Sequence, residues 1–160
     1  MTKGINKYLF LTICLFIWQL YACKKNLVYT DSVAIPAEEW NLDNVVLFGP
    51  KITDSIHSNN IYFTLRTGTS YPYRNIWLFV TTTSPAGTNI TDTLQYMLAD
   101  EKGKWYGKGF GDIHVLNLPF RTSVYFPKTG IYSFKVRHGM RTETLKGVYD
   151  IGLSIERAVK

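Results

Sequence analysis

Apolar and polar side chains alternate with a period of two along most of this chain. Ile61, Phe63 and Leu65 alternate with Tyr62, Thr64 and Arg66. Leu94, Tyr96 and Leu98 alternate with Gln95 and Met97. Tyr132, Phe134 and Val136 alternate with Ser133, Lys135 and Arg137, and Tyr149, Ile151, Leu153 and Ile155 with Asp150, Gly152, Ser154 and Glu156. Successive strand side chains point to opposite faces, so this pattern predicts half-buried strands. The run Ile76 to Thr81 differs, because Trp77 and Phe79 make it apolar on both faces. It reads as a central strand. Shorter candidates are Leu27 to Thr30, Val45 to Phe48, Ile113 to Leu118 and Val124 to Phe126. Gly49-Pro50, Ser58-Asn59-Asn60, Ser84-Pro85-Ala86-Gly87, Gly103, Pro127 to Gly130 and Gly139 separate them as turns. Pro36 to Trp40 suits one short helical turn. The prediction is an all-β, antiparallel two-sheet sandwich of eight or nine strands, jelly-roll or immunoglobulin-like. The order of the strands is left open.

The first residues break this pattern. Lys3 and Lys7 precede an uncharged, mostly apolar run from Tyr8 to Trp18, and Leu20-Tyr21-Ala22-Cys23 follows. A charged start, an apolar stretch and a small residue before the cut make a secretory signal. Leu three positions before a Cys, with a small residue just before it, is similar to the site read by lipoprotein signal peptidase. The run is shorter than the roughly 20 apolar residues of a membrane span. The domain reading is therefore a signal peptide over 1–22, a lipidated Cys and short tether over 23–26, and one β-sandwich over 27–160. Acyl chains on Cys23, palmitate among them, would hold the protein on a membrane at about 0.8 kcal/mol per buried CH₂.

Charge and cysteine content follow from that cut. The whole chain carries a formal +6. The signal removes Lys3 and Lys7 and no acid, which leaves a mildly basic +4. No basic stripe stands out, so nucleic acid is not an expected partner. Of the two cysteines, Cys14 leaves with the signal and Cys23 takes the lipid. The mature domain then has no disulfide, thiolate zinc site or cysteine nucleophile.

Two segments stand out as candidate contact surfaces. In Gly103-Lys-Trp-Tyr-Gly-Lys-Gly-Phe-Gly-Asp112, four glycines interleave with aromatic and basic residues. A phosphate loop needs Gly-Lys followed by Ser or Thr and then a helix, and the spacing is not that of a dinucleotide fingerprint. Two readings remain: a tight crossover between sheets, or an exposed contact surface carried by Lys104, Trp105, Lys108 and Phe110. The second segment, Tyr71-Pro-Tyr-Arg-Asn75, either packs at the end of the sandwich or binds through Tyr71, Tyr73 and Arg74. His57, His114 and His138 are scattered. Asp112 and His114 could share a strand face without a third ligand, so no metal or cofactor is expected. No nucleophile-elbow motif is present, and the expectation is a non-enzyme. A sugar-binding module would show two or three of Trp40, Tyr71, Tyr73, Trp77, Trp105 and Tyr106 in one plane or groove.

Several separated blocks resemble one family, the GldH gliding-motility lipoproteins of the Bacteroidota. Tyr71-Pro-Tyr-Arg-Asn-Ile-Trp-Leu78 is similar to its YPY-x-N signature. Gly103 to Ile113 is similar to its GKW-x-G-x-G-x-GD segment. Thr91-Asp-Thr-Leu94 with Leu98-Ala-Asp100, Phe126 to Tyr132, His138-Gly-Met-Arg141 and Gly147 to Gly152 complete the set in order. The resemblance implies an outer-membrane lipoprotein needed for gliding, coupled to type IX secretion of surface adhesins, with no known catalysis or cofactor. Expected partners are the membrane and other envelope or gliding-machinery proteins. Surface-exposed lipoproteins of this phylum resemble one another in having acids soon after the Cys. Lys24 and Lys25 depart from that pattern and predict a domain facing the periplasm. The runner-up is a carbohydrate-binding envelope lipoprotein.

Overall fold

The computed structural model describes residues 26–159. They form thirteen strands and one 3-10 turn, Pro36–Glu38. One sheet has the order β1 (Leu27–Ala34), β13 (Val148–Arg157), β5 (Asn59–Gly68), β9 (Ile113–Val124), β8 (Lys108–Phe110). The second has the order β3 (Val46–Phe48), β11 (Ser133–His138), β6 (Asn75–Thr83), β7 (Asn89–Met97). Two small pairs complete it, β2 (Glu39–Asn41) with β12 (Thr144–Lys146) and β4 (Lys51–Ile52) with β10 (Gly130–Ile131). Every pairing is antiparallel.

Setting aside short β8, eight strands make up the two main sheets. In chain order the first pairs with the eighth, the second with the seventh, the third with the sixth and the fourth with the fifth. This nested pairing is a jelly roll. Thirteen strands exceed the eight or nine that periodicity predicts. The four outside the main sheets are two or three residues long, too short to show a period. Two expected strands also merge. β9 runs unbroken through Val124 and Phe126 lies beyond it, buried and edge-on to Tyr132 at 4.8 Å.

The inward positions of both sheets form one core. Ile61, Phe63 and Leu65 of β5, Ile151, Leu153 and Ile155 of β13, and Ile76, Leu78 and Val80 of β6 are all buried. Three rings connect the layers: Phe63 of β5 lies 5.3 Å from Phe120 of β9, which meets Phe134 of β11 edge-on at 6.4 Å. Tyr96 of β7 donates from its hydroxyl to the Pro119 carbonyl of β9 at 2.9 Å, and Arg121 of β9 pairs with Asp92 of β7 at 2.5 Å. These contacts join the two sheets along their open side.

The register defines two ends. Leu27 pairs with Glu156, and Asn59 pairs with both Arg157 and Val124, so the chain enters β1 where β13 and β9 finish and β5 begins. At the other end Gly68 faces Ile113, Asn75 faces Met97, and His138 faces Leu78. The ten residues of β5 separate these ends by about 30 Å at roughly 3.3 Å per residue.

Candidate functional site

Both candidate segments lie at the end remote from the chain entry, and the structure brings them together. Tyr71 is the hinge between them. It is buried, and its hydroxyl donates to the Asn75 carbonyl at 2.8 Å. Burial, and then the neighbouring Tyr73, raises its pKa above the usual phenol value. The Tyr71 ring meets Tyr73 edge-on at 6.1 Å and Trp105 at 6.0 Å, and Trp105 stacks on His114 at 4.6 Å with 11° between planes. The backbone reinforces this. The Arg74 carbonyl accepts the Leu98 and Ala99 N–H groups at 2.7 and 3.2 Å, and Tyr106 N–H donates to the Leu98 carbonyl at 2.9 Å. Asp100 shapes the turn, its Oδ1 accepting the Lys102 and Lys104 N–H groups at 2.8 Å each.

The glycines here perform two tasks. A Cβ on Gly107 would lie 2.6 Å from the Val115 carbonyl oxygen, and one on Gly109 would lie 2.4 Å from that of Ile113. Only glycine allows this approach of β8 to β9. Gly103 and Gly111 instead take positive φ, +80° and +62°, where a Cβ is penalised. The segment is thus a tight crossover from β7 of one sheet to β8 of the other. It also carries Lys104, Tyr106 and Lys108 to the surface.

Of the expected contact residues, Tyr73, Arg74, Lys104 and Lys108 are exposed and Trp105 is half-buried. Tyr71 is corrected: with its hydroxyl satisfied inside the fold, it supports its neighbours and presents no contact surface. Phe110 pairs with Ile113 through its backbone, and its side chain lies outside what the structure describes. Cys23 and the signal lie outside the described residues.

Two shallow grooves of about 440 Å³ flank this end. One crosses the outer face of the four-stranded sheet, lined by Tyr73, Asn75, Trp77, Phe79, Gly139, Met140 and Arg141. Its floor is fixed by Gly139, whose N–H donates to the Trp77 carbonyl at 2.7 Å. Arg137 lies over the Phe79 ring at 5.0 Å. Sequence reasoning missed this groove, although the doubly apolar β6 was its signal. The other groove is lined by Met97, Tyr106, Lys108 and residues 115–118 with Gly107. Among the described residues no three of His, Cys, Asp and Glu converge on a point that could hold a metal. His114 shares a smaller groove of about 390 Å³ with Lys104, Trp105 and three of the glycines beyond Gly103, with no carboxylate in its lining.

The blocks that build this end are matched by a known family. A profile of the GldH lipoproteins aligns with residues 27–155. The chain belongs to the GldH lipoprotein family. It is 30% identical over 166 aligned positions to the gliding motility lipoprotein GldH homolog of Christiangramia forsetii, covering 99% of each chain. It is 31% identical over 145 positions to the gliding motility lipoprotein GldH of Flavobacterium johnsoniae, covering 86% of this chain and 89% of that one. Among solved structures, the infectious bursal disease virus VP2 subviral particle aligns at 15% identity and a TM-score of 0.35, over 80% of this chain and 30% of that one. The dimeric latent PorU from Porphyromonas gingivalis aligns at 10% identity and a TM-score of 0.31, over 85% and 14%. Likenesses this distant carry no argument, and the jelly roll assigned to this GldH-family chain rests on its own strand order.

Proposed function

We propose that this GldH-family protein is a lipid-anchored, non-enzymatic component of the outer membrane that gliding requires, linked to the type IX secretion machinery and its surface adhesins. Residues 1–22 are removed, Cys23 carries the acyl chains, and residues 23–26 form the tether. The domain works by docking other envelope proteins through the end that bears Tyr73, Arg74, Lys104, Trp105 and Lys108. The observation that carries this reading is the placement of that cationic and aromatic end about 30 Å from the chain entry, at roughly 3.3 Å per residue of β5. A partner can reach it without meeting the membrane. Lys24 and Lys25, where acids would mark export to the surface, favour the periplasmic side. Near an anionic leaflet each adds about 1 kcal/mol.

Deletion of the gene in a gliding host tests the role. Unchanged spreading, adhesin display and type IX secretion would refute it. Protease treatment of intact cells tests the orientation, because degradation without membrane disruption would place the domain outside. A charge-reversed Arg74→Glu, Lys104→Glu, Lys108→Glu protein should lose crosslinks to its membrane partners while remaining folded.

A second reading, carbohydrate binding, is favoured by one observation. Tyr73 and Trp77 are solvent-facing and share a groove with Arg141. Trp40 and Tyr71 are buried, Trp105 is half-buried, and exposed Tyr106 lines the other groove. The aromatic pair is thus the minimum a sugar platform needs. Quenching of Trp fluorescence by envelope polysaccharide, lost in Trp77→Ala, would support this reading. An unresponsive wild-type protein would end it.

A further inference from the structure

The end of the sandwich where the chain enters carries exposed apolar side chains that the core does not use. Ile56 is 79% exposed, Val159 78% and Tyr125 61%. Isolated exposed apolar residues are ordinary on protein surfaces. A specific staple holds Ile56 and the segment before Val159 at this end, and strand pairing places Tyr125 beside them. Asp54 Oδ1 accepts the Ile56 and His57 N–H groups at 2.8 and 3.2 Å, and its Oδ2 receives the Arg157 guanidinium at 2.5 Å. The Ile56 N–H first, and then the His57 side chain, lower the Asp54 pKa to about 2, so the staple stays ionised in mild acid. Ala158 N–H donates to the Ser58 carbonyl at 2.9 Å, which lays the segment leading to Val159 against the Ile56 loop. Tyr125 follows Val124, whose strand partner is Asn59.

The same staple marks where the chain arrives. Arg157 N–H donates to the Asn26 carbonyl at 2.7 Å. In sequence only Lys24, Lys25 and Asn26 separate Cys23 from Leu27. Four Cα steps reach at most about 14 Å. An anchored Cys23 therefore keeps this end close to its own leaflet.

We propose that this end is a lipid-seating surface, with Ile56, Tyr125 and Val159 entering the headgroup layer of the leaflet that holds the Cys23 acyl chains. The inference rests on the tether reading above. A protein partner fits these tips less well: a stable interface needs about 800 Å² per side with matched shape, and three exposed side chains supply only a small part of that. A fluid headgroup layer needs no matched shape. Tyr125 has the apolar body and polar tip suited to that layer. Lys24, Lys25 and exposed Lys128 supply cations towards anionic headgroups, while Arg157 is committed to Asp54. Seated this way, the sandwich stands on its entry end and turns its aromatic and glycine-rich end away from the bilayer.

The test uses the mature protein purified from membranes. Acylation blocks the Cys23 sulfur and Cys14 leaves with the signal, so Ile56→Cys, Tyr125→Cys, Val159→Cys and, as control, Tyr106→Cys each add one free thiol for an environment-sensitive nitrobenzoxadiazole label. The labelled proteins are placed in phosphatidylethanolamine and phosphatidylglycerol vesicles. Labels at 56, 125 and 159 should shift their emission to the blue and be quenched by doxyl-labelled lipid, and the label at 106 should do neither. Protein whose mass shows the acyl chains, but whose labels at 56, 125 and 159 all report water, overturns the seating and leaves the tether standing. Quenching at 106 alone also overturns it, because the domain would then lie the other way up. Protein without acyl mass that fails to float with vesicles overturns both.

Discussion

His138 sets up a test of the interior that pH can read. It closes β11 on the inner face, fully buried, with the Trp40 ring edge-on at 5.6 Å and 69°. Neither ring nitrogen has a hydrogen-bond partner. A neutral imidazole carries one donor and one acceptor, and each unsatisfied buried group costs about 1–3 kcal/mol. His138→Phe keeps the edge contact, worth about 0.5–1.5 kcal/mol, and removes both orphan nitrogens. Its larger ring costs about 1–3 kcal/mol if the site cannot relax. The change at neutral pH alone is therefore a weak test. The dependence on pH is a strong one.

Burial lowers the folded-state pKa of His138. The nearby Trp40 backbone carbonyl opposes this without reaching hydrogen-bond geometry, and the Arg137 charge adds to the lowering. The unfolded value is about 6.5. Above that pH neither state holds the proton and stability is full. As pH falls below it, the unfolded chain takes a proton that the folded chain refuses. Stability then drops by about 1.4 kcal/mol per pH unit until the folded-state pKa is reached. The other two histidines, His57 and His114, are common to wild type and variant, so the difference between the two proteins isolates His138. Urea unfolding followed by Trp fluorescence should show the His138→Phe advantage growing as pH falls from about 7.5 to about 5.5. An advantage that stays constant across that range refutes the reasoning.

Other consequences are more direct. Phe134→Ala empties a buried site between the sheets and should cost about 3–5 kcal/mol, read as a lowered urea midpoint. Gly107→Ala forces a Cβ onto the Val115 carbonyl oxygen and should cost about 1–3 kcal/mol, whereas Gly49→Ala, with open space around it, should be nearly silent in the same melt. Arg66→Ala strips the cation from buried Asp150 and leaves it the Ser32 hydroxyl at 3.2 Å; half-exposed Arg66 limits the loss to about 1–3 kcal/mol. Cys23→Ala should abolish labelling by a palmitate analogue, and a label that persists would refute the lipid site.

The parts legible in the sequence are those where one face of a strand is buried and the other is wet. Ile61, Phe63 and Leu65 show this, as do Phe134 and Val136, because burial there follows side-chain parity alone. Tyr149 breaks the rule. A register shift between Val148 and Asp150 takes it out of phase, so it is half-buried while Val148 joins the core. Trp77 breaks it in another way. β6 is flanked by β11 and β7 as expected, but its outer face meets only side chains such as Arg137 over Phe79 and the residues around Gly139 rather than another sheet, and Trp77 is 37% exposed. A doubly apolar strand announces a second apolar face without saying whether protein or solvent meets it. Tyr71 and Tyr73 look equivalent in sequence. Only the Asn75 carbonyl, within reach of one hydroxyl, decides which ring is structural.

Strand order was illegible for a deeper reason, and it is the reason the molecule has two distinct ends. A jelly roll pairs the first strand with the last, so Leu27 finds Glu156 and the innermost hairpin closes only at Ser84–Thr88. No local pattern encodes such distant partners. The same nesting brings the chain entry beside the C-terminal strand and sends both signature segments to the far end. The short tether and the rigid β5 act in opposite directions. The tether holds one end within about 14 Å of Cys23, while the sheet carries Tyr73, Arg74, Lys104 and Lys108 about 30 Å further away. Lengthening the tether with a flexible insert after Asn26 would relax the first constraint and leave the second intact. Loss of function in such a variant would mean that the height of the docking end above the leaflet matters. Retained function would mean that its chemistry alone is sufficient.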